Sequence, residues 1–270
     1  MTTDFRVDVG GPAGGPAAVL LHGFPQNATM WADVTPALHA AGLRTIAPDQ
    51  RGYSPGARPS TVDEYGREKL VGDVLSIMDS HGVDRAHLVG HDWGALVGWW
   101  LAAAHPDRFR TFTAVSVPHP QALATAALRT DAHQRELMSY VTLFRVPDKA
   151  EQVLLADGAF RLRRLFTGSG LDEAGVDRYV RPMLEPGALA GALNWYRATD
   201  FADPQGVEAV VVPTTYVWGE QDRAVGPAAA KECARHVRGE YRFVPLPGVG
   251  HWVLDQAPEA VAQAVLAATR

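Results

Sequence analysis

The chain has 270 residues, of which 47% are hydrophobic and 20% are charged, as in ordinary soluble globular proteins and unlike disordered or fibrous ones. Its net charge of −5 and pI near 6.0 give no basic surface for nucleic acid, so a small neutral substrate is the better expectation. Cys233 is the only cysteine, which excludes an intramolecular disulfide and a cysteine-rich metal cluster and is compatible with a reducing compartment.

The amino-terminal segment, residues 1–9, carries acidic and basic side chains and has no apolar run, so it does not resemble a signal peptide. No later segment has the length and hydrophobicity of a membrane span. We therefore expect a cytoplasmic protein without a membrane anchor. The Gly/Pro-rich stretch at residues 10–16 predicts an early turn.

The first predicted strand covers residues 17–21 and is followed directly by the sequence His-Gly-Phe-Pro at residues 22–25. We interpret His22 as a structural residue that fixes this loop. Pro25 has no backbone N–H and can adopt a cis bond at low cost, so we expect it to orient the amide of Phe24.

Strand and helix then alternate along the chain. Residues 43–47 and 86–90 have the short apolar runs of buried parallel strands, whereas residues 67–81 and 93–105 have helical patterns. This alternation predicts an α/β fold with a mostly parallel central sheet and helices on both of its faces.

A sharp turn from strand to helix is predicted at Gly-His-Asp-Trp-Gly, residues 90–94. The flanking glycines allow the abrupt turn of a nucleophile elbow, in which the central side chain is exposed on a strained backbone. That central residue is Asp92, where many enzymes of this kind have serine. As an alternative, Asp92 could simply be the N-cap of the helix that follows.

The alternation stops after a predicted strand at residues 111–117. Residues 118–205 are helix-like and interrupted by Pro and Gly, which predicts a helical cap. Residues 1–117 and 206–270 would then form one α/β core domain, split in sequence by the cap. The cap would lie at the carboxyl ends of the strands, where open α/β sheets bind ligands.

Two late strands, at residues 214–218 and 241–246, are each followed by a candidate catalytic residue. Asp222 lies just past the first, and we prefer it to the competing acid Glu220. His251 lies in a glycine-containing loop past the second. Nucleophile, acid and histidine thus occur in the chain order that is typical of a nucleophile-elbow hydrolase.

A carboxylate nucleophile determines the chemistry. It attacks an electrophilic sp³ carbon and forms an ester, which water activated by His251 then hydrolyses. The backbone N–H groups of Trp93 and Phe24 would stabilise the oxyanion that forms during hydrolysis. Amides and ordinary esters are disfavoured as substrates, and this chemistry calls for neither a metal nor a cofactor.

Taken together, the motifs at residues 22–25 and 90–94, the late Asp222 and the Gly-His-Trp at residues 250–252 resemble the epoxide hydrolases of the α/β-hydrolase fold. The resemblance covers nearly the whole chain and implies that an epoxide and water react to give a diol. In that family two cap tyrosines hydrogen-bond the epoxide oxygen, and matching sequence contexts assign this role to Tyr140 and Tyr196.

The resemblance also assigns Phe24, Trp93 and Trp195 to the substrate-binding wall. It implies a small-molecule partner only, with neither nucleic acid nor membrane. The oligomeric state stays open, with a homodimer as one option.

The main alternative is a haloalkane or haloacid dehalogenase, which shares the fold and the Asp nucleophile. Trp93 could offer its indole N–H to a leaving halide, but haloalkane dehalogenases usually have Asn where Phe24 stands. Fluoroacetate dehalogenases usually have Arg where Trp93 stands. A noncatalytic ligand-binding protein is a third interpretation, opposed by the complete set of Asp92, Asp222 and His251.

Overall fold

The computed structural model describes residues 4–126, 131–201 and 207–269. Seven strands form one sheet in the order β1-β3-β2-β4-β5-β6-β7. They are β1 (Val7–Gly10), β2 (Ala17–Leu21), β3 (Arg44–Pro48), β4 (Ala86–His91), β5 (Phe109–Val115), β6 (Thr214–Gly219) and β7 (Tyr241–Leu246). Only β1 runs antiparallel to its neighbour among these strands.

Twelve α-helices accompany the sheet in the described part of the chain. They are α1 (Thr35–Ala40), α2 (Arg67–Ser80), α3 (Trp93–Ala104), α4 (Pro120–Thr125), α5 (Ala132–Leu137), α6 (Tyr140–Phe144), α7 (Lys149–Arg164), α8 (Glu173–Met183), α9 (Ala188–Ala198), α10 (Pro227–Glu232), α11 (Val253–Gln256) and α12 (Pro258–Ala268). Helix α7 has a kink at residues 156–159, where the backbone is not helical. None of the described helices has the length and apolar character needed to cross a membrane.

Helices α4–α9 all lie between β5 and β6. The predicted boundary between cap and core, at residues 205 and 206, lies outside the described residues, as does the start of the chain at residues 1–3. We refer to α4–α9 as the helical segment.

The core is formed where α3 lies directly on the sheet. Every residue of β2 and of β4 is buried. Two glycines of α3 permit the close approach, because a Cβ on Gly94 would lie 2.1 Å from the Leu21 carbonyl oxygen and one on Gly98 would lie 2.4 Å from the Phe112 ring. Helix α3, which begins at the elbow, therefore packs directly against the strands.

A crevice opens where β2 and β4 lie side by side. The chain leaves β2 through α1 towards β3, and it leaves β4 through α3 towards β5, in the opposite direction. Right-handed crossovers then place α1 and α3 on opposite faces of the sheet. Ligands of open α/β sheets bind outside the carboxyl ends of the strands at such a reversal. The loop after β2 and the turn after β4 meet there.

The predicted sheet is confirmed, since the six predicted strands correspond to β2–β7 with ends displaced by two residues or fewer. Strand β1 was not predicted. It has four residues, lies at the edge of the sheet and is only partly buried, so it lacks the apolar run that identifies the other strands.

Candidate active site

Asp92 lies at the turn from β4 into α3, with φ 52° and ψ −118°. A positive φ is unusual for a residue with a side chain and is characteristic of functional turns. Asp92 occupies the N-cap position but makes no capping hydrogen bond with its side chain. Its Oδ1 instead accepts a hydrogen bond of 2.8 Å from the backbone N–H of Phe24. The carboxylate therefore does not cap α3 and faces the loop after β2.

The loop after β2 can approach Asp92 closely because residue 23 is glycine. A Cβ on Gly23 would lie 2.4 Å from the Asp92 Cβ and 2.5 Å from its Oδ1. The peptide bond between Phe24 and Pro25 is cis. Burial raises the pKa of Asp92, while the charge of His251 and the N–H groups of Phe24 and Trp93 act to lower it.

His22 holds this loop in place, as predicted from the sequence. Its Nε2 accepts a hydrogen bond of 3.0 Å from the backbone N–H of Gln50, and its Nδ1 lies 3.1 Å from the carbonyl oxygen of Gly23. Burial lowers the pKa of His22, so the ring is neutral with its proton on Nδ1. The residue joins the loops after β2 and β3.

Asp222 follows β6, and its side chain is completely buried. Its Oδ1 accepts hydrogen bonds from the backbone N–H groups of Ala224 at 2.7 Å and Val225 at 3.1 Å. Burial alone would raise the pKa of Asp222, but the charge and hydrogen bond of His251, together with the donors around it, hold that pKa below its ordinary value. The carboxylate is therefore ionised.

His251 lies between the two carboxylates. Its Nδ1 is 3.1 Å from both oxygens of Asp222, and its Nε2 is 3.6 Å from Oδ2 of Asp92. Burial lowers the pKa of His251, but the charges of Asp222 and Asp92 and the hydrogen bond to Asp222 raise it to about 9. At neutral pH the ring is thus an imidazolium. The competing acid Glu220 is exposed.

Ser116 is a residue of the site that the sequence did not identify. It follows β5 with φ 70°, and its Oγ donates to Oδ2 of Asp222 at 2.7 Å and lies 3.0 Å from Nδ1 of His251. Its carbonyl oxygen accepts a hydrogen bond of 2.6 Å from the Tyr216 hydroxyl. A polar residue at the carboxyl end of a buried strand was the available signal, but residue 116 was included in the predicted strand.

His91, next to Asp92, is a second residue of the site that the sequence did not identify. Its Nε2–H donates to the backbone carbonyl oxygen of His251 at 2.8 Å. Burial, reinforced by the charge of His251, lowers the pKa of His91 to about 3, so its ring is neutral. The hydrogen bond fastens the loop that carries His251 to the elbow that carries Asp92.

Tyr140 and Tyr196 come from helices α6 and α9 of the helical segment. Their ring centroids are 6.2 Å apart. Burial and the charge of Asp92 raise the pKa of Tyr140, and the neighbouring Tyr196 hydroxyl lowers it in part. Burial and the nearby Tyr140 raise the pKa of Tyr196 well above its ordinary value. Both hydroxyls therefore keep their protons over the working pH range and can donate hydrogen bonds.

A cavity of about 380 Å³ contains these groups. It is lined by Phe24, Asp92, Tyr140, Phe144, Arg164, Leu165, Thr167, Gly168, Tyr196, Gln221, Arg223, Ala224, Gly248, Gly250, His251, Trp252 and Gln256. A recess of about 30 Å³ shares Asp92 and both tyrosines with the cavity and is otherwise lined by apolar side chains, including Trp93, Leu96 and Phe201. Asp92 and the tyrosine pair thus stand between a cavity with a mixed polar and apolar lining and an apolar recess.

Trp195 has a different place from the one predicted. It lines neither the cavity nor the recess. Its indole N–H donates to the carbonyl oxygen of Arg51 at 2.9 Å, and its ring packs edge-on against Tyr53 and Trp93. This corrects the assignment of Trp195 to the substrate-binding wall: it fastens α9 to the core, whereas Phe24 lines the cavity and Trp93 the recess.

The described residues include no group of three or more His, Cys, Asp or Glu side chains that could hold a metal ion. The groups brought together are a buried carboxylate, an imidazolium paired with a second carboxylate, backbone N–H donors and two phenols. Such a set can perform nucleophilic attack and acid–base chemistry.

Comparison with known proteins gives consistent matches. The family described as alpha/beta hydrolase fold matches residues 16–258. The AB hydrolase superfamily protein YfhM of Bacillus subtilis is 34% identical, over 97% of this chain and 92% of the relative. Epoxide hydrolase A of Mycobacterium tuberculosis is 32% identical, again over 97% of this chain and 92% of the relative.

Among solved structures, epoxide hydrolase A from Mycobacterium thermoresistibile is similar, with a TM-score of 0.84 and 29% sequence identity. The similarity covers 99% of this chain and 96% of that chain. The similarity in fold and in sequence therefore extends over nearly the full length of both chains.

Proposed function

Because this chain belongs to the epoxide hydrolase family of the α/β-hydrolase fold, we propose that it converts a small or medium-sized epoxide to a vicinal diol through a covalent ester on Asp92. The observation that carries this proposal is the shared cavity of one carboxylate and two protonated phenols. Asp92 supplies a nucleophile for the ring carbon, while Tyr140 and Tyr196 supply donors for the ring oxygen.

The first step is ring opening. An oxygen of Asp92 attacks one epoxide carbon, the carbon–oxygen bond of the ring breaks, and the electron pair moves onto the epoxide oxygen. An alkoxide is a poor leaving group unless it is hydrogen-bonded or protonated. The raised pKa values of Tyr140 and Tyr196 support this role, because both hydroxyls still carry protons when the alkoxide forms.

The second step is hydrolysis of the ester, for which His251 must be neutral. In the free enzyme its pKa is raised to about 9, partly by the charge of Asp92. Ester formation removes that charge, so the pKa of His251 falls and the ring releases its proton, which balances the proton taken up by the alkoxide through the phenols. The neutral ring can then accept a proton from water. Asp222 remains ionised and stabilises the imidazolium that results. Ester formation thus generates the neutral His251 that the hydrolysis step needs as its base.

The oxyanion of the hydrolysis step needs donors near the Asp92 carboxyl carbon. The backbone N–H groups of Phe24 and Trp93 already act on the Asp92 carboxylate, which supports their assignment as the oxyanion hole. Water adds to the ester carbonyl, and the tetrahedral intermediate collapses as the His251 imidazolium returns a proton to the leaving alkoxide. The diol leaves with the carboxylate oxygen that attacked the epoxide carbon, and the oxygen of water stays in the regenerated Asp92.

Residues 118–205 act as a cap in this proposal. The helical segment contributes Tyr140, Phe144 and Tyr196 to the cavity, so it covers the carboxyl ends of the strands and excludes bulk water from the nucleophile. Substrate enters between the cap and the loops that carry Asp222 and His251.

Styrene oxide and 1-chlorobutane test this function against a dehalogenase. We expect diol from the epoxide, because the two phenols stabilise the alkoxide that forms. We expect no halide from the chloroalkane, because Phe24 stands where haloalkane dehalogenases usually have the Asn that binds the leaving halide. Asp92→Ala, the control, should form neither product. Halide release without diol formation would refute the proposed reaction, and the absence of both would favour a noncatalytic binding protein.

A further inference from the structure

The outer part of the cavity carries two arginines. Arg164 belongs to the last turn of α7 in the helical segment, and Arg223 follows Asp222 in the loop after β6. Both are exposed. Among the described lining residues the only acidic side chain is Asp92, which lies buried at the base. One cation from the helical segment and one from the loop after β6 therefore line the exposed part of the cavity, and the described lining residues supply no carboxylate there.

Three other arginines of the helical segment form ion pairs with acids. Arg163 and Arg181 both pair with Asp177, and Arg197 pairs with Glu151. Within the described part of the chain, neither Arg164 nor Arg223 has a carboxylate oxygen within 4.0 Å.

A ring contact holds Arg164 in place without occupying its N–H donors. Its guanidinium lies over the ring of Phe160, 5.8 Å from the centroid, which holds the group without using its N–H donors on an acid. A planar guanidinium with free donors matches a carboxylate well.

The charge of the whole chain and the shape of the recess indicate which substrates the two arginines would favour. The whole chain carries a net charge of −5, so its overall field repels anions, and the cavity edge is a local exception. On the far side of Asp92 the recess of about 30 Å³ is apolar and admits only a small substituent. A substrate with one short apolar arm and one longer anionic arm fits both ends.

From this arrangement we infer that the enzyme prefers epoxides that carry a carboxylate on the longer arm, held by Arg164 and Arg223 at the cavity edge. The inference rests on the proposed function and specifies its substrate class. It assigns no role in ring opening to either arginine, because both act only on the distal charge.

Matched substrates test the inference: 5,6-epoxyhexanoate and 7,8-epoxyoctanoate, each with its neutral primary amide. We expect kcat/KM to favour at least one carboxylate over its amide by roughly 3- to 30-fold, the range for a solvent-accessible pair of charge-assisted contacts. The ratio should fall with added NaCl. In the double variant Arg164→Gln/Arg223→Gln it should approach one, through a higher KM for the carboxylate alone.

Arg161→Gln is the matched control, since Arg161 is exposed on the same helix but does not line the cavity. It should keep the wild-type ratio. An unchanged ratio in the double variant, or no carboxylate preference in the wild type, would overturn the inference. Diol formation from the amides would still support the proposed function in that case. If no epoxide is turned over, the proposed function fails instead. Calorimetry then tests the inference separately, by comparing the affinities of octanoate and octanamide for the wild type and for the double variant. Tighter binding of octanoate by the wild type alone supports the inference, and equal affinities in the wild type overturn it.

Discussion

At the scale of single residues, the proposed reaction gives Tyr140 and Tyr196 one shared task, because both phenols would act on the same developing alkoxide. Losing one should be partly compensated by the other, so their effects are coupled. We predict that Tyr140→Phe and Tyr196→Phe each slow ring opening by roughly 10- to 1,000-fold, and that the double variant is nearly inactive. Single-turnover kinetics of ester formation measure this directly.

The folded state provides the control for the tyrosine variants. Phe keeps the ring, and the ring contacts of Tyr196 with Phe24 and Trp93 should survive. The melting temperature should therefore change little. A large loss of stability would assign the hydroxyls to the structure of the helical segment, and near-normal diol production by the double variant would contradict their role in the reaction.

Ser116 offers a second residue-level prediction. Its hydroxyl donates to Asp222, so Ser116→Ala should loosen the carboxylate that orients His251. We expect ester hydrolysis to slow by roughly 10- to 100-fold, as for the loss of a hydrogen bond to a charged group, while ring opening is nearly unchanged. The covalent ester should then accumulate, and mass spectrometry of the quenched enzyme would detect it.

Ser116→Gly separates the hydroxyl from the backbone. Residue 116 has φ 70°, a conformation that glycine adopts without strain. Both variants lack the hydroxyl and should share the slow hydrolysis, whereas Gly avoids the positive-φ strain that Ala retains. Normal hydrolysis in Ser116→Gly would show that the hydroxyl does not position the acid–histidine pair.

At the scale of elements, the strands were predictable because each buried strand is a short apolar run that ends at a turn. Strands β2 and β4 are completely buried and correspond closely to such runs. Strand β1 has none, since its burial comes from pairing at an edge rather than from its own side chains. The position of β1 in the sheet depends on its pairing with β3, which is distant in sequence.

The site was predictable where chain order carries the information. Asp92, Asp222 and His251 each follow a strand of the parallel sheet, and carboxyl ends of parallel strands meet at one edge. Ser116 could not be identified because its hydrogen bond depends on β5 lying beside β6 and on a positive φ. Trp195 directly precedes Tyr196 in α9, and successive side chains of a helix point about 100° apart. Only Tyr196 therefore faces the cavity.

The loop after β2 gives a prediction about packing between elements. A Cβ on Gly23 would lie 2.4 Å from the Asp92 Cβ, so Gly23→Ala must displace either the carboxylate or the Phe24 amide. We expect ring opening to slow because the nucleophile is displaced, and ester hydrolysis to fall by roughly 100-fold or more, since removing an aligned oxyanion donor has that magnitude in other hydrolases. Stopped-flow measurement of ester formation and decay checks both steps.

Gly72→Ala is the matched control for this substitution. Gly72 lies within α2, and a Cβ there would meet no atom within 4 Å. Its replacement should leave activity unchanged and stabilise the helix by up to about 1 kcal/mol. Full activity in Gly23→Ala would mean that the loop moves away without loss of the Asp92 contact, against the close fit described here.

At the scale of the whole molecule, the stability of the fold should depend on the charge of His251. The pKa of His251 is raised from 6.5 to about 9 in the folded state. Its stabilising contribution is therefore complete below pH 6.5 and is lost as the pH rises through about 9. We expect a decrease in unfolding free energy of roughly 2 to 4 kcal/mol over this window.

Urea unfolding at pH 6.5, 7.5 and 9 measures this dependence. His251→Gln should lack the part of the decrease that comes from His251, and the difference between the two proteins isolates that part because the other titrating groups are common to both. Parallel pH dependence in the wild type and the variant would contradict a charged His251 between Asp92 and Asp222.

The central claim is that the substrate becomes covalently attached to Asp92, and a single turnover in ¹⁸O-labelled water tests it most directly. With enzyme in excess over epoxide, water attacks the ester carbonyl, so one ¹⁸O atom should enter the Asp92 carboxylate. The diol should be unlabelled. Peptide mass spectrometry locates the label in the enzyme, and mass spectrometry of the product measures the diol. Labelled diol and an unlabelled Asp92 after the first turnover would mean direct attack of water on the epoxide and would contradict the account.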